Sequence, residues 1–153
     1  MKLKNIFPVV LCILVGFFMG TFMLKQYRTD TDVVSLTGEN LYFLQAGVYS
    51  SEESMKESMK NTPYYIYTKE NNMYYSYIGI TKNKKNLKTL QDFYKSIGYD
   101  IYIREIFISD VAFLTVLEQY DNLLLETTDT KVIRSIENQV LSKYEELMIN
   151  DKD

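Results

Sequence analysis

The sequence predicts an α+β chain, and two observations carry that prediction. Between residues 41 and 106, apolar and polar residues alternate with period two in four short segments, interleaved with two stretches of helical spacing. Beyond residue 109 the alternation gives way to a period near 3.6. An uncharged apolar run near the N-terminus adds a membrane helix to this reading.

That run covers residues 6–24, which as a helix would reach about 28 Å, enough for the hydrocarbon core. Pro8 falls in its first turn, where a missing backbone N–H costs little. A cleaved signal peptide would have a shorter core and small residues at an A-x-A-like site. Val15-Gly16-Phe17-Phe18-Met19-Gly20 places bulky side chains there instead, and Val10 and Leu11 before Cys12 do not suit a lipoprotein site. Residues 1–25 are therefore expected to form an uncleaved signal-anchor transmembrane helix, making a single-pass membrane protein. Lys2 and Lys4 nearly balance Lys25 and Arg28, and Asp30 and Asp32 tip the expectation to a cytoplasmic N-terminus and an extracytoplasmic C-terminal domain. Gly16 and Gly20 have the G-x-x-x-G spacing that can pair two anchors, a spacing also met in ordinary membrane helices.

Residues 26–40 are polar and aperiodic and read as a tether. A first strand is expected at 41–49. Ser50 followed by Glu53 has capping-box spacing, with Met55 and Met59 as the thin apolar stripe of a short helix that Asn61-Thr62-Pro63 ends. Strands at 64–69 and 73–80 flank Glu70-Asn71-Asn72, a tight hairpin because Asn tolerates left-handed dihedrals. Leu87, Leu90, Tyr94 and Ile97 share one face of a second helix, Gly98 suits its C-terminal cap, and 99–106 reads as a fourth strand.

The order βαββαβ is the ferredoxin-like motif, a four-stranded antiparallel sheet with two helices on one face, here assigned to 41–107. Val111, Leu114, Leu117 and Leu124, then Ile133, Ile136, Val140, Tyr144 and Leu147, are spaced for a C-terminal helical hairpin over 109–150, broken at Thr127-Thr128-Asp129-Thr130.

Composition narrows the chemistry. The chain of 153 residues has a net charge of −3, no histidine and one cysteine. Nucleic-acid binding needs a concentrated basic surface, which is missing here. Zinc sites, Ser-His-Asp triads and thiol catalysis are largely excluded, and no disulfide can form within the chain. The pairs Glu52/Glu53 and Glu145/Glu146 are sequence neighbours on helices and cannot both enter one site. The expectation is a non-enzymatic protein without cofactor or metal. Lys82, Lys84, Lys85 and Lys88 read as a solvated helix start, with contact to anionic wall polymer as the alternative.

Three segments resemble the SPOR (sporulation-related repeat) domain family. Phe43-Leu44-Gln45-Ala46-Gly47-Val48-Tyr49-Ser50 with Glu52-Glu53 is similar to its first strand and helix start. Met73-Tyr74-Tyr75-Ser76-Tyr77-Ile78-Gly79 is similar to its third strand, and Lys95-Ser96-Ile97-Gly98-Tyr99-Asp100 to its second helix entering the last strand. The resemblance covers about 41–105. It implies a bacterial cell-envelope domain whose open sheet face binds peptidoglycan glycan strands, in cell division, sporulation or wall remodelling. The family's ligand face carries Gln and Ser on strand one and an aromatic and Arg on strand three. Gln45 stands at the Gln, whereas Val48 replaces the Ser, Met73 lies near the aromatic, Tyr75 replaces the Arg, and Ile80 stands where a Pro follows the strand-three Gly.

Alternation gives the candidate surface directly. If Leu44, Ala46 and Val48 face the helices, Phe43, Gln45 and Gly47 face away, and Tyr75, Tyr77, Tyr102 and Arg104 fall on that same side. The candidate ligand-binding residues are therefore Gln45, Tyr75, Tyr77, Tyr102 and Arg104, since sugars stack on phenol rings and hydrogen-bond amides. Tyr also favours strands for its own sake, so each ring has a purely structural reading too. The hairpin must bury its stripe somewhere. Over the sheet face it would abolish the site; packed on itself or on a protein partner, it would leave the face free. A membrane-anchored scaffold holding a protein through these helices or the aromatic face is the alternative function.

Overall fold

The computed structural model describes residues 38–150. The apolar run 6–24, its G-x-x-x-G pair, Cys12 and most of the tether lie outside the described residues, and among those described no helix is long and apolar enough to cross a membrane.

The described part is α+β: β1 (Glu39–Tyr49), α1 (Glu52–Met59), β2 (Ile66–Glu70), β3 (Met73–Thr81), α2 (Lys84–Ser96), β4 (Tyr102–Ile108), α3 (Val111–Leu125) and α4 (Thr130–Asn150). The strands form one sheet in the order β2-β3-β1-β4, every neighbouring pair antiparallel. β1 begins at Glu39, inside the expected tether, because Glu39 and Asn40 pair with Ile108 and Phe107 of β4. The second and fourth strands start later than expected, at Ile66 and Tyr102, since Tyr64, Tyr65 and Tyr99 find no ladder partner.

Local chemistry sets the element ends. Ser51, rather than Ser50, caps α1, its hydroxyl accepting the Ser54 amide at 3.2 Å. Asn83 and Asp110 cap α2 and α3 in the same way. The Asp129 carboxylate accepts the Lys131 amide at 2.8 Å, so the expected break contains the cap of α4. Asn71 and Asn72 both have positive φ, 49° and 61°, as a two-residue turn between right-twisted strands requires. Gly98, at φ 94°, ends α2 in a Schellman motif, in which Tyr99 N–H reaches Tyr94 C=O and Gly98 N–H reaches Lys95 C=O.

The β1–β3 register contains two irregularities that decide which side chains share a face. Leu44 pairs with Gly79 but Gln45 with Tyr77, so β3 spends an extra residue at Ile78; Gln45 to Gly47 then spends one on β1 at Ala46. Directly opposed residues point the same way. One face therefore carries Leu41, Phe43, Gln45 and Val48 with Ile80, Tyr77 and Tyr75. The other carries Leu44, Gly47 and Tyr49 with Gly79, Ser76 and Tyr74. This corrects the simple alternation: Val48 leaves the helix face and is 41% exposed, while Gly47 joins that face beneath the Tyr49 ring.

Helices α1 and α2 lie on the Leu44 face, where Ser76 meets Met59 and the Tyr94 hydroxyl donates to Ile78 C=O. Phe93 takes the buried position expected for Ile97, which is exposed, as is Val111 on α3.

The hairpin α3–α4 packs against the sheet itself. β2 pairs only as far as Tyr77, leaving the outer side of Ile78–Thr81 without a strand. Helix α4 fills that gap. Glu137 accepts the Ile80 amide at 3.0 Å and sits so close that a Cβ on Gly79 would come within 2.9 Å of Oε2. Asp121 of α3 ties down the next residues, accepting from the Thr81 hydroxyl, the Lys82 amide and Asn86. Further along α4 the Tyr144 ring lies 5.0 Å from Phe43 and 5.4 Å from Phe113, so the hairpin covers the Leu41, Phe43 and Ile80 end of the sheet face opposite α1 and α2. The other end stays open.

Candidate functional site

The open end of that face is built from all four strands. Gln45 on β1 is flanked by Tyr77 on β3 and Tyr102 on β4. Arg104 stands opposite Phe43, one step along β4 toward the hairpin. Val48 faces Tyr75, Tyr75 faces Thr68 of β2, and Glu70 ends the row beside the Asn turn. The five residues singled out from the sequence thus share one face.

They do not share one role. Tyr77 is fully buried, its ring edge-on to Phe43 at 5.4 Å, so it offers a ligand no surface. Its exposed neighbour is Tyr102, 64% accessible at the sheet edge. Gln45 and Tyr75 are half-buried.

Arg104 links the group. One Nη donates to the Tyr77 hydroxyl at 2.9 Å, the other to Glu70 Oε2 at 2.6 Å, and the guanidinium lies 4.9 Å from the centroid of the Tyr75 ring. The Glu70 carboxylate is the main reason its pKa is raised. A planar cation held on three sides keeps the Tyr75 ring in place and gives this part of the sheet a fixed, nearly neutral surface.

Strand alternation misses Val48, Thr68 and Glu70, although the resemblance sets Val48 at the ligand-face Ser position. Val48 is hidden by the bulge at Ala46, which no residue type announces. Thr68 and Glu70 become visible only with the β2–β3 register, because Glu70 reads from the sequence as part of the turn.

The acid pairs resolve as expected for surface charge: Glu52 binds Lys56 at 2.5 Å, and Glu145 accepts the Tyr64 hydroxyl. Lys82 is not simply solvated, because it bridges Glu39 and Glu118. Among the described residues there is no group of three or more His, Cys, Asp or Glu side chains placed to hold a metal ion.

The described residues thus form an α+β domain with one sheet face half covered by the C-terminal hairpin and half open, aromatic and nearly neutral. No protein-family model matches the chain, and neither curated proteins nor solved structures give a match.

Proposed function

We propose that the chain is a membrane-anchored, non-catalytic binding protein of the bacterial cell envelope, whose open sheet face holds peptidoglycan glycan strands. The strand order β2-β3-β1-β4 with helices after β1 and β3 supports a ferredoxin-like, SPOR-like core. The observation carrying the functional reading is the co-facial set Gln45, Tyr75, Tyr102 and Arg104, left accessible beside the hairpin. Phenol rings accept sugar C–H faces, and the amide of Gln45 can both donate to and accept from N-acetyl or hydroxyl groups. The single-span anchor at 1–25, a cytoplasmic N-terminus and work at division, sporulation or wall-remodelling sites belong to the same proposal.

The test is co-sedimentation of the full, detergent-solubilised chain with purified peptidoglycan stripped of stem peptides. Retention that Tyr102→Ala and Gln45→Ala weaken supports the reading. No retention, where a known glycan binder is retained, rejects it.

A second reading rests on the hairpin. Leu123, Leu125, Val132 and Ile149 are exposed on α3 and α4, and a groove of about 350 Å³ runs between Phe107, Ile108, Tyr144, Leu147 and Met148. A scaffold holding a protein partner through these helices would lose function on Leu123→Glu or Val132→Glu, with glycan retention unchanged.

A further inference from the structure

We infer that a cleft between α2, α4 and the α1–β2 connection binds the free carboxylate end of a short apolar peptide, through Arg134 and Asn138. The inference stands apart from the glycan reading, because no residue of the open face lines this cleft. The cleft measures about 280 Å³, and Tyr64, Tyr94, Ile97 and Tyr99 wall it beside the two α4 side chains. Arg134 and Asn138 are one helical turn apart, so they lie on the same side of α4. Neither has a hydrogen-bond or ion-pair partner among the described residues; the guanidinium lies over the Phe93 ring, 5.9 Å from its centroid. The end of α2 does not claim that cation, since the Gly98 and Tyr99 amides already take the Lys95 and Tyr94 carbonyls. No lining residue is acidic, and Glu137, next to Asn138 in the chain, is wholly buried and favours its neutral form. Arg134 is therefore an uncompensated cation on the wall of a concave site.

The wall hydroxyls decide what the cleft can hold. Tyr94 donates to the Ile78 carbonyl, Tyr64 donates to Glu145, and the Tyr99 and Thr62 hydroxyls bond each other at 2.7 Å. The three phenols thus offer a ligand ring surface and little hydrogen bonding. A sugar, with a hydroxyl on nearly every carbon, would leave those it buries here unpaired. A carboxylate on an apolar body meets the opposite. The guanidinium fork can receive the carboxylate through two parallel charge-assisted N–H···O bonds. One turn along, the Asn138 amide carries both a donor and an acceptor, which match the C=O and N–H of a peptide unit. The rings and Ile97 take an apolar side chain. A cleft of this size is at the small end of ligand sites, and admits the last one or two residues of a chain rather than a folded surface.

The experiment follows backbone NMR shifts of the full, detergent-solubilised chain titrated with N-acetyl-alanyl-leucine or with its C-terminal amide. The free acid is expected to bind about tenfold tighter than the amide or better, with saturable shifts at Tyr94, Ile97, Tyr99 and Asn138. Arg134→Gln, at an exposed position, should bring the acid down to the level of the amide. Arg134→Lys, which keeps the charge without the fork, should restore only part of the preference. Asn138→Ala should weaken both probes by about threefold to tenfold. Equal binding of acid and amide by the wild type, an acid preference that survives Arg134→Gln, or shifts confined to another surface overturns the proposal. So does tighter binding of N-acetylmuramic acid than of the peptide acid at these residues, which would make the cleft a site for an acidic sugar. A chain that ignores both peptides but is retained by glycan overturns this inference and leaves the glycan reading standing. A chain that binds the peptide acid but no glycan does the reverse.

Discussion

Among the described residues, Glu137 has the least ordinary environment. It is wholly buried, Oε2 accepts the Ile80 amide, and Oε1 has no hydrogen-bond partner. Burial pushes its pKa well above the usual 4.5, the Ile80 amide opposes that shift, and the nearby Asp121 adds to it. Folding therefore favours the protonated acid. Stability is complete below the unfolded carboxyl value, where both states hold the proton, and declines as pH rises from about 4.5 toward the raised folded value. The decline is at most about 1.4 kcal/mol per pH unit. Urea melts of the wild type should show this fall, and Glu137→Gln, which keeps an acceptor for Ile80, should flatten it. Equal slopes in both proteins would mean that Glu137 ionises freely. At Gly79, Ala should cost about 2 kcal/mol or more, because the Glu137 carboxylate and β3 cannot both keep their places. A melt within about 0.5 kcal/mol of wild type would show that α4 gives way without penalty.

At the scale of elements, sequence and structure agree at three local signals, although the capping box read at Ser50 gives way to a cap at Ser51. Gly98 past Tyr94, Asn71-Asn72 between β-rich runs and Asp129 before Lys131 each dictate an end or a turn, and each is where the residues place it. Gly98→Ala at φ 94° should cost about 1 kcal/mol in chemical denaturation, and a neutral effect would show that α2 can end without a left-handed residue. The bulges are not legible. They arise from how β1 must fit β3 and β4 at once, and Ala46 and Ile78 carry no mark of it. Hence alternation puts Val48 on the wrong face, while it puts Gln45 on the right one because Gln45 precedes the extra residue on its own strand. The short β2 is also unreadable: the start of its ladder is lost at Tyr64 and Tyr65, and that loss opens the edge that α4 fills. The hairpin's two helices are visible as stripes, but where they dock depends on this gap and cannot be read from either stripe.

For the whole molecule, the hairpin is part of the core and part of the site's boundary. Phe43 is core because Tyr144, itself packed on Phe113, covers that end of the sheet, and Tyr77 is buried beside it under Phe43 and Arg104; Tyr102 and Val48 remain accessible. Removing residues 109–153 should therefore unfold the domain or leave it as a compact state that binds hydrophobic dye, since Leu41, Phe43 and Ile80 would lose their cover. A truncated chain that melts cooperatively and binds no dye would mean the hairpin is an independent unit. The proposed role of the open face is tested most directly by backbone NMR of the full, solubilised chain titrated with stem-peptide-free glycan. The account predicts saturable shifts centred on Gln45, Val48, Tyr75, Tyr102 and Arg104, with Phe43, Tyr144 and the exposed side of α3 unmoved. Shifts confined to α3 and α4, or none at glycan concentrations that saturate a known binder, would contradict it.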